Sequence, residues 1–531
     1  MTEKLTGGEA LVAALRAHGT DTVFGIPGTH NLPVYAALSR YGVRHVGPRH
    51  EQGAGFAADG WARASGRPGV CLTTTGPALL NAATAAAQAY SDSVPVLFLS
   101  PGLPLRHPGR GNGFLHEVKD QRGALDAVVS YSHRVTSVEE IPVAVAGAYA
   151  AMATGRPRPV HLEIPLDLLD EQAPVTIADP VPVPPLTPAA PQIRAAARVL
   201  ADAVRPVVVA GGGCGGAAAE LRDLAERLGA PVVTTANGKG VLPDDHPLAV
   251  GAGLHHEAVR QLVRDSDAVV AVGTELAPSD LWFGPLDIPG TLIRIDVDAQ
   301  AVTANALPGI ALVADAALGI GALLEHLSGH GGTALGVERA ARARAHHTEQ
   351  ARAEGSAHLG LTRALAQVLG RDGVLAGDST MACYYGALSN LPAYTPRSFL
   401  YPTGLGTLGY GLPAAIGAKL ARPDAPVVAL HGDGGLMFTV QELATAAQLR
   451  LPLPIVVVDN GGYGEIRDEM ADRGEPVHAV DLPPVDFPMA ARAMGCHGLT
   501  ADDERHLTRA LGAALAADRP TLIHVPESAA G

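Results

Sequence analysis

Residues 427–470 read VVALHGDGGLMFTVQELATAAQLRLPLPIVVVDNGGYGEIRDEM, and this segment has the clearest structural pattern in the chain. Two short apolar runs, residues 427–430 and 455–458, are typical of buried strands, and a helical pattern lies between them. A glycine-rich turn follows each run, with Asp433 in the first turn and Asn460 in the second. The sequence therefore predicts two strands that each deliver an oxygen ligand at the carboxyl end.

The two turns together suit a hard cation. Mg²⁺ prefers oxygen ligands in near-octahedral geometry and commonly shares them with a substrate diphosphate. We predict three metal ligands: the Asp433 carboxylate, the Asn460 amide oxygen and the Gly462 carbonyl oxygen. The neighbouring glycines allow a phosphate to approach the backbone closely. A plain turn is the alternative for Gly-Asp-Gly alone, but the second ligand after a second strand favours a metal site.

Composition excludes several classes of protein. The chain has 531 residues, 47% apolar side chains and a formal net charge of −14, which suits packed α/β domains and argues against a nucleic-acid partner. Its four cysteines are far apart and form no CxxC pair, so no zinc site or disulfide framework is predicted from them. No apolar run is long enough to cross a membrane, and the first residues are typical of a capped amphipathic helix. We therefore expect a cytoplasmic enzyme with neither a nucleic-acid nor a membrane partner.

Strand-like runs alternate with helical patterns along most of the chain. This alternation predicts an α/β fold with three doubly wound domains that contain mainly parallel sheets. A proline-rich segment follows the first domain, and an Arg-, Glu- and Ala-rich helical connector precedes the third. The predicted domains span residues 1–170, 190–330 and 355–528.

The metal-site segment resembles the cofactor-binding motif of thiamine-diphosphate (ThDP) enzymes, Gly-Asp-Gly followed by Asn-Asn. The usual first Asn is Asp459 here, whereas the ligand, Asn460, is present. The resemblance extends over the whole chain and implies pyrimidine-binding, middle and diphosphate-binding domains in that order. It also implies ThDP and Mg²⁺ as cofactors.

Glu51 follows a strand-like run and opens a helix rich in small residues, in RHEQGAGFAADGWAR. One reading is that this carboxylate merely complements the helix dipole. In the ThDP family the matching glutamate acts on N1′ of the aminopyrimidine, so that the cofactor serves as its own base. The resemblance therefore implies that Glu51 is catalytic.

Further residues match cofactor contacts of the family. Leu408 would wedge between the two cofactor rings and impose the bent conformation, with the Gly406 carbonyl on the aminopyrimidine. Ala78 replaces the third glycine of the usual Gly-Pro-Gly, which changes the loop after Gly76. The remaining positions that the resemblance assigns to the cofactor are Gly25, Pro27, Gly28, Thr75, Gly76, Pro77, Asn81, Asp378, Ser379, Thr380, Gly404, Thr407, Gly432, Gly434, Gly435, Tyr463 and Gly464.

The middle segment supports a rival interpretation. A strand, the glycines 211–213 and a helix are typical of a dinucleotide-binding turn, which would indicate an NAD-dependent oxidoreductase. The next strand ends at residues 234–237, TTAN, without the acidic residue that binds a ribose hydroxyl. In the ThDP family this domain binds FAD in some members and is structural in others, and the sequence leaves both open.

The resemblance also implies an assembly. In the family the glutamate of one subunit faces the metal site of another, so Glu51 and Asp433 would meet across an interface. We therefore expect a homodimer or homotetramer with active sites at subunit interfaces.

The helix after the metal loop is a candidate substrate site. Glu465 and Glu469 fall at i and i+4, with Asp468 beside them and Ile466 between. An exposed acidic first turn is one interpretation. The other is a pocket for a cationic side chain, because a buried guanidinium needs a carboxylate.

The closest resemblance within the family is to decarboxylases of 5-guanidino-2-oxopentanoate, carried by RHEQGAGFAADG, FLHEVKDQ, YPTGLGTLGYGLPAAIGAKL and IRDEM. It implies non-oxidative decarboxylation of a 2-oxo acid to an aldehyde and CO₂. The alternative is an acetolactate synthase-like carboligase, whose product is a 2-hydroxyketone or a related acid.

The acid or base that completes the reaction is not the usual one. Pyruvate decarboxylases carry a glutamate where this chain has Ile466, so their proton relay does not transfer. His116 and His30 are the candidates instead, because an imidazole titrates near neutral pH. A structural role for each histidine is the alternative.

Overall fold

The computed structural model describes residues 3–109, 111–177, 179–180, 182–329, 331 and 334–531. Met1 and His330, which bound two of the predicted domains, lie outside the described residues. The chain forms two compact units. The first holds the chain up to Pro184 together with Gly404–Pro423 and Thr439–Leu451, and the second holds the remaining segments.

The first unit contains a parallel sheet and a short antiparallel ribbon. Its strands are β1 (Glu3–Thr6), β2 (Thr22–Gly25), β3 (Arg44–Val46), β4 (Gly69–Leu72), β5 (Val96–Gly102), β6 (Ser132–Arg134), β7 (Val160–Pro165) and β8 (Gln172–Val175). Its helices up to that point are α1 (Gly7–Ala17), α2 (Leu32–Arg40), α3 (Glu51–Ser65), α4 (Pro77–Ser91), α5 (Gln121–Asp126), α6 (Ile141–Ala153) and α7 (Leu166–Asp170). The sheet order is β3-β2-β4-β5-β7-β6 with every pair parallel, and β1 pairs with β8.

The middle part of the chain forms a second parallel sheet. Its strands are β9 (Pro206–Ala210), β10 (Val232–Thr234), β11 (Ala249–Ala252), β12 (Ala268–Val272), β13 (Thr291–Asp296) and β14 (Ile310–Val313). Its helices are α8 (Ala190–Asp202), α9 (Ala218–Leu228), α10 (Glu257–Arg264), α11 (Pro278–Leu281) and α12 (Ala316–His326). The order is β11-β10-β9-β12-β13-β14, and helix α13 (Ala334–Glu354) then leads to the last part of the chain.

The last part of the chain supplies a third parallel sheet. Its strands are β15 (Val374–Gly377), β16 (Phe399–Leu400), β17 (Val427–Gly432), β18 (Pro454–Asp459), β19 (His497–Thr500) and β20 (Thr521–Pro526). The helices are α14 (Leu359–Leu369), α15 (Leu388–Asn390), α16 (Gly411–Ala421), α17 (Asp433–Leu436), α18 (Glu442–Gln448), α19 (Gly464–Asp472), α20 (Phe487–Ala493) and α21 (Glu504–Leu515). The order β16-β15-β17-β18-β20-β19 places the carboxyl ends of β15, β17 and β18 side by side.

These three sheets confirm the predicted α/β class. Apolar strands buried on both faces, such as β9, β12 and β17, are typical of parallel sheets covered by helices. All four cysteines are buried thiols outside any disulfide. Within the described residues, no helix combines the length and the apolar character that a membrane span requires.

Candidate active site

Three oxygen atoms converge where β17 and β18 end. The Asn460 amide oxygen lies 3.0 Å from the Gly462 carbonyl oxygen and 3.3 Å from Asp433 Oδ1, and no hydrogen lies between them. The opposite amide orientation would instead let the amide nitrogen donate to both oxygens. Ligand oxygens around an octahedral Mg²⁺ are separated by about 2.9 Å, given Mg–O distances of about 2.1 Å. The spacing therefore fits a cation held by the three predicted ligands.

Asp433 occupies a buried position at the start of α17, with 6% of its surface exposed. Burial, followed by the charge of Asp459, raises the pKa of Asp433, while backbone N–H groups of Gly434 and Asn460 oppose that shift. A cation beside a carboxylate favours its ionised form. A metal ion bound here would therefore offset the effect of burial on Asp433.

Asp459, which stands where the family usually has Asn, is directed to another partner. Its Oδ2 is hydrogen-bonded to His524 Nε2 at 2.9 Å, and its Oδ1 accepts the Gly461 N–H at 3.0 Å. On the far side of the turn, Arg467 donates to the Asn460 and Gly461 carbonyl oxygens, each at 3.3 Å. These contacts hold the turn that presents the Asn460 side chain.

The segment after β15 lies beside this turn in the sheet order. Asp378 is wholly buried, with Oδ2 hydrogen-bonded to His431 Nδ1 at 2.7 Å and Oδ1 accepting the Ser379 N–H at 2.8 Å. His431 Nε2 is buried and has no hydrogen-bond partner. Ser379 and Thr380 are half-buried at the strand end, where their hydroxyl groups suit a phosphate.

The remaining residues assigned to the diphosphate lie around the metal turn. Gly434 and Gly435 are buried in the first turn of α17, and the Tyr463 ring lies against Gly434. Gly432 ends β17 and packs against Thr380. The second unit thus brings together the predicted metal ligands and several residues predicted to bind the cofactor.

In the first unit, Glu51 is the first residue of α3 and is half-buried. Its Oε2 accepts a hydrogen bond from Asn81 Nδ2 at 3.0 Å. Asn81 lies on α4, so α3 and α4, which follow the two strands on either side of β2, position these two predicted residues together. Among the described residues, no hydrogen-bond partner faces Glu51 Oε1, so this oxygen is available to bind a ligand.

Glu442 fixes the start of α3, and the sequence analysis missed it. Its buried carboxylate accepts the backbone N–H of Arg49 at 3.0 and 3.1 Å, the N–H of His50 at 3.0 Å and the Thr445 hydroxyl at 2.6 Å. Burial raises the pKa of Glu442, and these hydrogen bonds oppose the shift. Glu442 therefore acts on Glu51 indirectly, by holding the residues that precede it.

The loop Gly25-Ile26-Pro27-Gly28 is locked by Asn31. The wholly buried Asn31 side chain accepts the Gly28 N–H at 2.8 Å and donates to the carbonyl oxygens of Ile26 and Thr73, each at 3.1 Å. Pro27 remains exposed at the tip of the loop. The loop is thus a rigid feature that follows β2.

The turn Thr75-Gly76-Pro77 is held by Gln121, another residue that sequence reasoning missed. The Gly76 N–H donates to Gln121 Oε1 at 2.7 Å, and Gln121 Nε2 donates to the Pro101 carbonyl oxygen at 2.8 Å. Gly76 has φ of +64°, and a Cβ there would lie 2.2 Å from the His116 carbonyl oxygen. The turn therefore requires glycine at this position.

His30 and His116, the two candidates for proton transfer, lie next to each other. Their rings are 5.0 Å apart in an edge-on arrangement, and His30 Nδ1 is hydrogen-bonded to Thr75 Oγ1 at 3.1 Å. Burial and then His116 lower the pKa of His30, so this imidazole is neutral at neutral pH. His116 has φ of +63°, and its buried Nδ1 lacks a hydrogen-bond partner.

The loop of residues 404–408 is attached to α4 within the first unit. The Gly404 N–H donates to Asp92 Oδ1 at 2.8 Å, and the Thr407 hydroxyl donates to Gln88 Oε1 at 2.9 Å. Gln88 in turn donates to Asp92 at 2.6 Å. Gly406 is exposed with φ of +68°, and Leu408 is half-buried, so part of each is accessible to a ligand.

The acidic helix α19 divides into an inward and an outward side. Glu465 is half-buried, with Oε2 accepting the Tyr384 hydroxyl at 3.0 Å and Oε1 accepting the Tyr385 hydroxyl at 2.8 Å. Both tyrosines belong to a π-helical segment, Ala382–Ala387, a geometry that is frequent at functional sites. Ile466, Asp468 and Glu469 are exposed in the single chain.

Three family models match most of this chain. Models described as the N-terminal TPP binding domain, the central domain and the C-terminal TPP binding domain of thiamine pyrophosphate enzymes match residues 5–124, 193–325 and 377–525. The chain belongs to the thiamine pyrophosphate enzymes. A probable 2-ketoarginine decarboxylase of Pseudomonas aeruginosa is 42% identical over 99% of this chain and 95% of its own. Acetolactate synthase isozyme 2 large subunit of Escherichia coli is 34% identical over 98% of this chain and 95% of its own length. A probable acetolactate synthase large subunit of Methanocaldococcus jannaschii is 33% identical over 98% of this chain and 92% of its own length.

Membership in the thiamine pyrophosphate enzymes confirms the predicted family, and this chain is an enzyme that uses thiamine diphosphate. The residues fit that cofactor, because a cation would bridge the three facing oxygens, which stand beside glycines and hydroxyl groups suited to a diphosphate. The glycine turn after β9 lies in the matched central domain. The NAD-dependent oxidoreductase interpretation therefore has no support left.

Only a glycine at position 464 leaves room for the Asn460 side chain, a predicted metal ligand. A Cβ at Gly464 would lie 2.3 Å from Asn460 Nδ2, so Gly464→Ala should displace the Asn460 side chain. We expect the affinity for ThDP in the presence of Mg²⁺ to fall about 10-fold, because overpacking costs ~1–3 kcal/mol. Calorimetric titration of ThDP with Mg²⁺ measures this.

Gly512→Ala is the matched control, because Gly512 lies on α21 with open space around its Cβ position. Its affinity for ThDP should equal that of the unmodified protein. Equal affinity in Gly464→Ala would show that Asn460 tolerates the displacement or is not a ligand.

Proposed function

We propose that this enzyme decarboxylates a 2-oxo acid with a cationic side chain, such as 5-guanidino-2-oxopentanoate, and depends on ThDP and Mg²⁺. The products would be CO₂ and 4-guanidinobutanal. The relative from Pseudomonas aeruginosa, a probable 2-ketoarginine decarboxylase, supports this assignment. The position of Glu465 is the structural observation that carries it.

Glu465 has the features expected of a receptor for a guanidinium group. The two tyrosine hydroxyls occupy one lone-pair direction on each carboxylate oxygen and orient the carboxylate. The remaining lone pairs are available for the paired N–H groups of a guanidinium, which matches a carboxylate in bidentate fashion. The centroids of the Tyr384 and Tyr385 rings are 4.6 Å apart, so aromatic surface also borders the Glu465 carboxylate.

The chain supplies the groups that hold the cofactor. Asp433, Asn460 and the Gly462 carbonyl would bind the cation, and the residues after β15 and β17 would bind the diphosphate. When bound, ThDP supplies an electron sink for the electron pair that is left when CO₂ departs. Glu51 would hold a proton at N1′ of the aminopyrimidine, and Leu408 would keep the two rings of the cofactor bent.

Proton transfer completes the balance of the reaction. The carboxylate of the 2-oxo acid leaves as CO₂, and the former carbonyl carbon takes up one proton to become an aldehyde. His30 and His116 are the groups proposed to deliver it, because they lie 5.0 Å apart and one ring nitrogen of His116 has no protein partner.

The proposed active unit contains at least two chains. Glu51 belongs to the first compact unit and Asp433 to the second. The family resemblance pairs them across a subunit interface, in a homodimer or homotetramer. We also propose a cytoplasmic location, and residues 1–170, 190–330 and 355–528 as the pyrimidine, middle and diphosphate domains.

The test is CO₂ release with added ThDP and Mg²⁺, using 5-guanidino-2-oxopentanoate, 2-oxohexanoate and pyruvate. We expect a higher kcat/KM for the guanidino acid and an aldehyde as the organic product. In Glu465→Gln, KM for the guanidino acid should rise about 10- to 100-fold, because a charge-assisted hydrogen bond contributes about 1.5–3 kcal/mol. KM for 2-oxohexanoate should change little.

Asp472→Asn removes a charge from the exposed end of the same helix and is the matched control. It should leave both KM values unchanged. Equal effects of Glu465→Gln on the guanidino and the aliphatic substrate would exclude the proposed recognition of the cation.

An acetolactate synthase-like carboligase is the second candidate, favoured by the identity to acetolactate synthases. Such an enzyme would prefer pyruvate and would form a new carbon–carbon bond. Product analysis separates the two, since a 2-hydroxy-2-methyl-3-oxo acid from pyruvate would contradict the decarboxylase proposal.

A further inference from the structure

A cluster of histidine and glutamate side chains lies in the second unit, away from the thiamine-diphosphate residues. His255 Nε2 lies 3.2 Å from Glu354 Oε2, and His256 Nε2 lies 3.1 Å from the same oxygen. In the part of the chain that the structure describes, this is the only group of three or more His, Cys, Asp or Glu side chains whose ligand atoms come together. Neither the cofactor nor the proposed substrate uses it.

We propose that His255, His256 and Glu354 form a binding site for a divalent transition-metal ion such as Zn²⁺. Two imidazoles and one carboxylate are a common ligand set for Zn²⁺. The ion would join the residues just before α10 to the last residue of α13.

The distances suit such an ion. Zn²⁺ binds imidazole nitrogen and carboxylate oxygen at about 2.0–2.2 Å, which separates neighbouring ligands in a tetrahedral site by about 3.3 Å. The two measured nitrogen–oxygen separations are 3.2 and 3.1 Å, and all three ligand atoms lie within 4.8 Å of one another. Only a small adjustment is needed to admit the metal.

The neighbours of the cluster hold its ligands in a suitable state. His256 Nδ1 is hydrogen-bonded to His347 Nδ1 at 2.8 Å. In one tautomer, His256 donates this hydrogen bond from Nδ1 to His347 Nδ1. That leaves the His256 Nε2 lone pair for a metal, and such outer-shell bonds are usual at metal-bound histidines.

The other two ligands are equally constrained. The His255 ring stacks on Trp282 with centroids 3.8 Å apart, which fixes its plane. The Glu354 carboxylate faces both imidazoles, because its Oε2 lies 3.2 Å from His255 Nε2 and 3.1 Å from His256 Nε2. A cleft lined by Arg260, Phe283 and Gln350 borders the cluster and gives a fourth ligand, such as water, access.

The experiment is zinc binding by the full-length protein after treatment with EDTA. Mg²⁺ and ThDP are kept saturating, so that the Asp433 site does not take up the added metal. A colorimetric chelator competes for Zn²⁺, and the visible absorption of added Co²⁺ reports its coordination. We expect one equivalent of Zn²⁺ per chain and the intense bands of tetrahedral Co²⁺.

The variants identify the site. Glu354→Gln and His256→Gln should each lower zinc affinity about 10- to 100-fold or more, as changes in metal-bound shells do. His497→Gln is the matched control, because it removes a surface histidine that pairs with Asp518 at 3.0 Å, and it should bind Zn²⁺ normally. Circular dichroism shows whether each variant is folded.

Three results would overturn the inference: no stoichiometric zinc in the unmodified protein, equal affinity in the Glu354→Gln variant, or octahedral Co²⁺ spectra unaffected by His256→Gln. In each case the cluster would be a hydrogen-bonded tie between α10 and α13 without a metal ion.

Discussion

Glu51→Gln is expected to lower kcat for CO₂ release about 10³-fold, within the 10²–10⁴-fold range of positioned proton transfer. Glutamine is nearly isosteric and retains an oxygen to accept the Asn81 hydrogen bond, which measures 3.0 Å. It lacks an ionisable group to hold a proton at N1′ of the cofactor. The fold and the affinity for ThDP should therefore change little while kcat falls. Single-turnover kinetics at saturating ThDP and Mg²⁺ measure this directly.

Glu504→Gln controls for the simpler interpretation of Glu51 as a complement to the helix dipole. Glu504 is likewise the first residue of a helix, α21, and it pairs with Arg363 at the surface. Its replacement should leave kcat within about twofold, because helix-dipole interactions contribute only ~0.3–1 kcal/mol to stability. A kcat for Glu51→Gln that matches this control would remove Glu51 from the catalytic groups.

The arrangement of the metal ligands could be predicted from the sequence for a physical reason. Buried apolar runs that alternate with helices form parallel sheets, and parallel neighbours end at the same edge. Asp433 and Asn460 each follow such a run, so their proximity required only that β17 and β18 be adjacent, as they are. The same argument applies to Asp378, which follows β15.

The residues that hold the site together could not be found in this way. Gln121, Glu442 and His431 each stabilise a predicted site residue through contacts that depend on tertiary packing. Glu442 lies more than 390 positions from the backbone groups it accepts, for example. No local spacing or periodicity marks such a residue, since its partners are backbone or side-chain groups distant in sequence.

The candidate substrate helix shows the same limit. Helical spacing placed Glu465 and Glu469 on one face, yet Glu465 is half-buried and Glu469 is exposed in the single chain. The difference arises from Tyr384 and Tyr385, whose hydroxyl groups both reach Glu465 from a π-helical segment. A sequence pattern with period 3.6 does not reveal a π-helical turn, so these two tyrosines were not predicted.

Asp433→Asn is expected to lower the affinity for Mg²⁺, and with it retention of ThDP, by about 100-fold or more. The amide keeps an oxygen near the Asn460 and Gly462 oxygens but removes the charge that compensates a divalent cation. Hard cations depend on carboxylate ligands, and even outer-shell changes at metal sites cost about 10–100-fold. Titration of the apoprotein with Mg²⁺ at fixed ThDP measures the loss, and excess Mg²⁺ should restore part of the activity.

Asp459→Asn provides the comparison that distinguishes a ligand from a nearby charge. Asp459 raises the pKa of Asp433, but its own oxygens are engaged by His524 and by the Gly461 N–H. Its replacement removes one negative charge from the same turn and installs the residue usual in the family, so Mg²⁺ affinity should stay within about threefold. If both variants lose the metal equally, long-range charge rather than coordination by Asp433 controls binding. If neither does, the three facing oxygens are explained by the opposite orientation of the Asn460 amide, which then donates to Asp433 and Gly462.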